Sequence, residues 1–200
     1  FTVLAVPPFV VIGDGSPEWV EQDANEVVRA SARILKARFF DRDPAAIIDV
    51  LMLHSESSYD RHAGSFFGPP STPYGYYSPC DRALYVNMSR GNGTLVHEMV
   101  HALMEATFPA CPTWFNEGLA SLYEHTDLDS GELRGRVNWR LPGLQSVIAR
   151  GKTPPLTELV STSRREFYDD AKVGLHYAMA RYLCFYLQEM GLLESFFHRF

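Results

Sequence analysis

The stretch His97-Glu98-Met99-Val100-His101, with Glu117 following 16 positions after His101 (117 − 101) inside Trp114-Phe115-Asn116-Glu117-Gly118-Leu119-Ala120, decides how this sequence reads. Residues four apart on a helix share a face, so His97 and His101 can direct both imidazoles at one point. The first helix is expected from Leu95 to about Thr107 with Thr94 as its N-cap. The second runs from about Thr113 to His125, beyond a break at Pro109 and Pro112. Folded back as an antiparallel pair, they bring Glu117 opposite the imidazoles. Two histidines and a carboxylate form a three-ligand zinc set with a fourth position open. Glu98 projects beside that position, where a carboxylate can take a proton from water. The expectation is one zinc ion held by His97, His101 and Glu117, with Glu98 as general base.

Upstream, Phe9 to Ile12 reads as a short buried strand closed by Gly13-Asp14-Gly15. Ser16-Pro17 is a helix start, with Ser16 as N-cap and proline at the first helical position. Val20, Ala24, Val27, Val28, Ile34 and Leu35 recur at helical spacing to about Phe40. Ile47 to Leu53 is a second strand. From Ser55 to Cys80 the glycines and prolines predict a long loop ending in a hairpin, Tyr74 to Ser78 against Ala83 to Met88. Its aromatics Phe66, Phe67, Tyr74, Tyr76 and Tyr77 either pack the loop down or form a lid. Downstream, Thr126 to Asp170 reads as loops and short helices, and a last long helix covers Gly174 to Met190. The fold class is α+β in one domain: a sheet-containing part over residues 1–93 and a mainly helical part over 94–200.

Composition agrees with a globular domain: 200 residues, 46% hydrophobic and 21% charged. A net charge of −6 with scattered Lys and Arg argues against nucleic-acid binding and a polybasic membrane patch. No apolar run reaches the ~18 residues of a membrane span. Phe1 to Ile12 lacks a basic leader and is not read as a signal peptide. The abrupt ends at Phe1 and at Phe196, Phe197 and Phe200 suggest a piece of a longer, processed chain, with an extracytoplasmic location weakly favoured. Cys80, Cys111 and Cys184 cannot all pair within one chain. A Cys80–Cys111 disulfide and three free thiols both stay open.

His-Glu-Met-Val-His followed by Trp-Phe-Asn-Glu-Gly-Leu-Ala-Ser-Leu-Tyr-Glu resembles the gluzincin metallopeptidases. It looks closest to the peptidase MA-like bacterial proteins and to enzymes of the aminopeptidase N type. The resemblance covers the helix pair, and its connection here is shorter, 15 residues in place of eighteen. It implies a zincin-like fold and zinc peptidase activity on a peptide or protein substrate. It also implies that Glu124, seven after Glu117, orients a ligand histidine, and that the strand Ala83 to Met88 is the edge along which substrate lies. Tyr177, in a segment reaching Phe185-Tyr186-Leu187, inherits the role of donor to the tetrahedral intermediate, with His176 as substitute. Ala178-Met179-Ala180 and Leu84-Tyr85-Val86-Asn87 depart from the aminopeptidase signatures, which favours an endopeptidase. A catalytically silent zinc-bound module holding a peptide or glycan is the alternative, and a metal-free interaction domain a third reading. His54, His62, His125 and His198 lack ligand spacing and read as ordinary histidines.

Overall fold

The structure, a computed structural model, describes residues 1–63, 72–127 and 133–200. Five strands form one mixed sheet in the order β1 (Thr2–Val6), β2 (Phe9–Gly13), β3 (Ile48–Leu53), β5 (Ala83–Asn87) and β4 (Gly75–Ser78). β2, β3 and β5 are mutually parallel, while β1 and β4 close the two edges antiparallel. The remainder is mostly helical, so the architecture is α+β with a small N-terminal sheet. Among the described residues no helix is long and apolar enough to cross a membrane.

β2 alternates buried and half-buried residues, as a strand with one face on the core must. Phe9 and Val11 meet Ile48, Val50 and Met52 of β3 and Leu84 and Val86 of β5 in the main core. Each such side chain contributes roughly 1.5–3 kcal/mol by leaving water. Ser16 caps the next helix by accepting from the Trp19 amide, with Pro17 behind it. That helix proceeds as α1 (Pro17–Asp23), a π-helical segment (Ala24–Arg29) and α2 (Ala30–Arg38), and buries Val20, Val28 and Leu35.

Three expectations need correction. The segment from Ser55 is not all loop, because α3 (Glu56–Ala63) occupies its start. The Ser55 hydroxyl accepts from the Ser58 amide, and Tyr59 and Ala63, four apart, are buried against Leu53, Ala83 and Tyr85 on the second sheet face. β1, unread in the sequence, pairs with β2 along its whole length. The strand beginning at Ala83 is interior: β4 is the edge next to the helices, and β5 lies between it and β3.

The helical half is organised by α4 (Gly93–Thr107), α5 (Thr113–Tyr123) and α9 (Val173–Glu189). Thr94 is not the cap of α4. The helix begins at Gly93, where a Cβ would stand 2.3 Å from the Glu124 carbonyl oxygen. Only glycine allows the start of α4 to abut the end of α5, and this contact fixes the pair as antiparallel. α5 packs most extensively on α9, and Gly118 makes that approach possible: a Cβ there would sit 2.8 Å from Ala180 O and 2.9 Å from Cys184 Sγ. Fully buried Arg181 ties α9 to the Ser121 carbonyl at 2.9 Å and to the Arg136 carbonyl. The small hairpin β6 (Thr126–Asp127) and β7 (Arg134–Gly135) leads to α6 (Arg140–Ala149), α7 (Leu156–Ser161) and α8 (Arg164–Phe167). α10 (Leu193–Phe197) follows α9. All three cysteines are free thiols: Cys80 is exposed in the hairpin turn, Cys111 half-buried and Cys184 buried.

Candidate metal centre and its cleft

α4 carries His97, Glu98 and His101 one turn apart, and α5 carries Glu117 in its second turn. His97 Nε2 lies 3.0 Å from His101 Nε2, and Glu117 Oε2 lies 3.5 Å from each. A triangle with edges of 3.0, 3.5 and 3.5 Å has a circumscribed radius of about 1.9 Å, so a centre ~2.0–2.1 Å from all three atoms, the zinc–ligand range, lies just off their plane. Glu117 Oε2 is buried and accepts no hydrogen bond. A carboxylate oxygen left so is costly, and a cation at that centre would satisfy it together with both nitrogens. The buried trio is compatible with one metal ion.

The atoms turned away from the centre are held by neighbours. Glu117 Oε1 accepts from the Tyr168 hydroxyl, which leaves Oε2 facing the two imidazoles. His101 Nδ1 donates to Asn116 Oδ1 at 2.8 Å. His97 Nδ1 lies 3.4 Å from Glu124 Oε1, an ion-pair distance without hydrogen-bond geometry, and Glu124 is paired on its other side with Arg140. Asn116 fixes the His101 tautomer with its Nε2 lone pair towards the centre, and the Glu124 carboxylate beside His97 Nδ1 favours the same tautomer there.

The electrostatics follow from this crowding. Burial alone would depress the His97 imidazole, but Glu117 and Glu124 override it and hold its pKa well above the ordinary value. His101 is raised in the same way, chiefly by Glu117. Burial would raise the Glu117 carboxyl, yet the two imidazoles hold it well below the carboxylate range. Against its own burial, Glu124 is brought down to about 2 by His97 and Arg140. Without metal, the centre binds protons where it would otherwise bind a cation.

Glu98 is buried beside the trio, and its Oε2 accepts from the Tyr77 amide of β4 at 2.9 Å. A cleft of about 780 Å³ opens onto this face, walled among others by Gly75, Thr94, His97, Glu98, Trp139 and Tyr177. Tyr177, from the first turns of α9, points its hydroxyl at Glu117 beside Tyr168. Burial and the Glu117 charge push both phenols above their ordinary pKa, so each remains a donor. His176, the substitute candidate, faces elsewhere: it is buried, bonds the Phe167 carbonyl through Nδ1 at 2.9 Å, and borders a separate cavity with Glu158 and Lys172. Of the four ordinary histidines, His125 borders the cleft but is engaged with the Val137 carbonyl at 3.0 Å. Of the proposed lid aromatics, Phe66 and Phe67 lie outside the described residues. Tyr76 stacks on Tyr85 and bonds the Ala63 carbonyl, while exposed Tyr74 borders the cleft.

Tyr168, Asn116 and Arg140 belong to this centre and were not singled out in the sequence. Asn116 adjoins a ligand and carried a local signal. Tyr168 and Arg140 arrive from loops and short helices whose placement no spacing rule predicts. Comparison with protein-family models and with curated proteins returns no match to this chain.

Proposed function

We propose that this protein is a zinc-dependent peptidase of the gluzincin kind with a zincin-like catalytic domain, cleaving within polypeptides. The observation that carries the reading is the juxtaposition of the His97–His101–Glu117 trio with a buried carboxylate, Glu98, where His97 and Glu98 wall one large cleft. Bound there, zinc would supply Lewis acidity, bringing the pKa of water towards ~7 and polarising a carbonyl. Glu98, anchored by the Tyr77 amide, accepts the proton of the attacking water and passes it to the departing amine. Tyr177 donates its hydroxyl proton in a hydrogen bond to the oxyanion that develops on the scissile carbonyl. Tyr168 is bonded to the outer oxygen of Glu117, and Tyr177, not Tyr168, walls the cleft.

The edge strand adjoining the cleft supports a polypeptide substrate. Tyr77 turns its amide away from β5 to Glu98, which leaves the outward backbone groups of Gly75, two residues before it on the same side and bordering the cleft, for an incoming chain. An extended chain along β4 would complete such an edge through backbone hydrogen bonds. The role first assigned to the strand at Ala83 therefore falls to β4.

The test is turnover of a mixed peptide library by zinc-loaded protein. Glu98→Gln should retain zinc and lose activity by at least ~10³-fold, and Tyr177→Phe should lower kcat by ~10²–10³. Full activity in Glu98→Gln would overturn this mechanism, and zinc-loaded wild type that binds peptides without cutting them would favour the silent module.

A further inference from the structure

Beyond the catalytic cleft lies a second groove of about 430 Å³ between α6 and α9. Trp139 and Arg140 wall both spaces, with the guanidinium 4.1 Å above the indole, so groove and cleft adjoin on either side of this one stacked pair. Trp139 is 76% exposed, which leaves most of a large apolar ring uncovered at the junction.

Two exposed glycines border the groove. Gly143 on α6 and Gly174 on α9 both border it, and a Cβ at either position would meet nothing within 4 Å. Glycine inside a helix such as α6 costs stability relative to alanine, and it is ordinarily repaid by close packing or a special backbone angle. Gly118 shows the close-packing case in this same molecule. Gly143 has neither compensation: its φ is not in the left-handed region and no neighbour approaches. It stands exposed on the groove wall, with open space where a side chain would begin. The walls of that space are apolar, from Leu144, Val147, Leu175 and Ala178, with Arg150 at the end of α6. Arg150 makes no ion pair among the described residues.

We infer that the α6–α9 groove is a distal subsite for the same polypeptide that enters the cleft, taking apolar side chains next to an acidic one. The inference rests on the peptidase reading and narrows it: the substrate is an extended polypeptide long enough, at ~3.3 Å per residue, to reach from cleft to groove, and not a di- or tripeptide. Trp139 is the positioning residue over which the chain passes from one space to the other.

The experiment uses two fluorescein-labelled peptide sets, of four and twelve residues, each rich in Leu and Glu. Binding is read by anisotropy with zinc-loaded Glu98→Gln protein, and turnover separately with wild type. The twelve-residue set should bind at least ten times more tightly than the four-residue set. Adding Gly143→Trp, which sets a large side chain on the groove wall, should abolish that ratio, with the thermal midpoint measured alongside. Trp139→Ala should reduce the ratio severalfold. Equal affinity for both sets, or a ratio untouched by Gly143→Trp, would overturn the distal subsite even if wild type cuts peptides. A length-dependent, groove-dependent affinity without turnover would uphold the groove and sink the peptidase reading. Should Gly143→Trp prove unstable, Val147→Glu serves as the second variant: charge repulsion should weaken the acidic twelve-residue set alone, and unchanged binding would count against the subsite.

Discussion

α9 meets its neighbours through glycine on two sides, with opposite results. At Gly118 of α5 a methyl group would strike Ala180 O at 2.8 Å, whereas at Gly143 of α6 it would strike nothing within 4 Å. The first glycine draws α5 against α9 directly behind Glu117, and Gly93 does the same between α4 and the end of α5. The second stands in the open on the wall of the groove beside the cleft. Close packing thus fixes the helix that carries Glu117 on one side of α9, while the other side stays loose. Burial follows the same division: Glu117 and His97 are enclosed, while Trp139 at the opposite rim is open to solvent.

The largest effect should come from breaking the closed side. Gly118→Val forces α5 off α9 against backbone atoms that cannot yield, and should cost ~1–3 kcal/mol or more in urea unfolding. It should also weaken zinc binding because Glu117 moves with its helix. Unchanged stability would mean that the two helices are not in the contact described.

Next is the hydrogen bond on the outer oxygen of Glu117. Tyr168→Phe removes the donor and should weaken zinc affinity by ~10–100-fold, measured by competition with a chromophoric chelator, with little change in the unfolding midpoint. An unaltered affinity would reduce Tyr168 to a packing residue.

Protons and metal compete for the same enclosed atoms, which gives a pH signature. His97 is raised in the folded metal-free protein, so its pairing contributes fully below the ordinary 6.5 and is lost as pH rises through the raised value. Glu117 is depressed, so its contribution is present above the ordinary 4.5 and is lost as pH falls through the depressed value. Metal-free protein is therefore helped most between these limits, while zinc requires the imidazoles without their protons. The rise in Tm on adding zinc should be small at pH 5.5 and grow steadily to pH 8. A rise independent of pH would place the metal on other ligands.

The smallest effect has the opposite sign. Gly143→Ala meets open space and should stabilise α6 by up to ~1 kcal/mol, where the same change at Gly118 destabilises. Destabilisation at both positions would erase the distinction between the two contacts.

What the sequence revealed divides along the same line as the glycines. His97 and His101 were legible because helical spacing sets which side chains share a face, Glu117 because a helix pair folded back on itself brings it opposite them, and Glu124 only through the family resemblance. The strand segments were legible from their apolar runs, but their order in the sheet was not. β4 became the edge only when three-dimensional pairing put β5 inside. α3 was hidden because its serines and histidine leave only Tyr59 and Ala63 as an apolar stripe. Tyr168 and Arg140 were illegible because they lie 51 and 16 residues from the carboxylates they contact and reach them through irregular connections. Glycine cannot announce from sequence whether it closes a contact or keeps one open.

The central claim is that His97, His101 and Glu117 hold one metal ion. Elemental analysis of protein purified in metal-free buffer and then incubated with zinc tests it most directly, with Glu117→Ala measured alongside. The account predicts near one zinc per wild-type chain and a sharp loss in the variant. No zinc in the wild type, or equal zinc in both proteins, would contradict it.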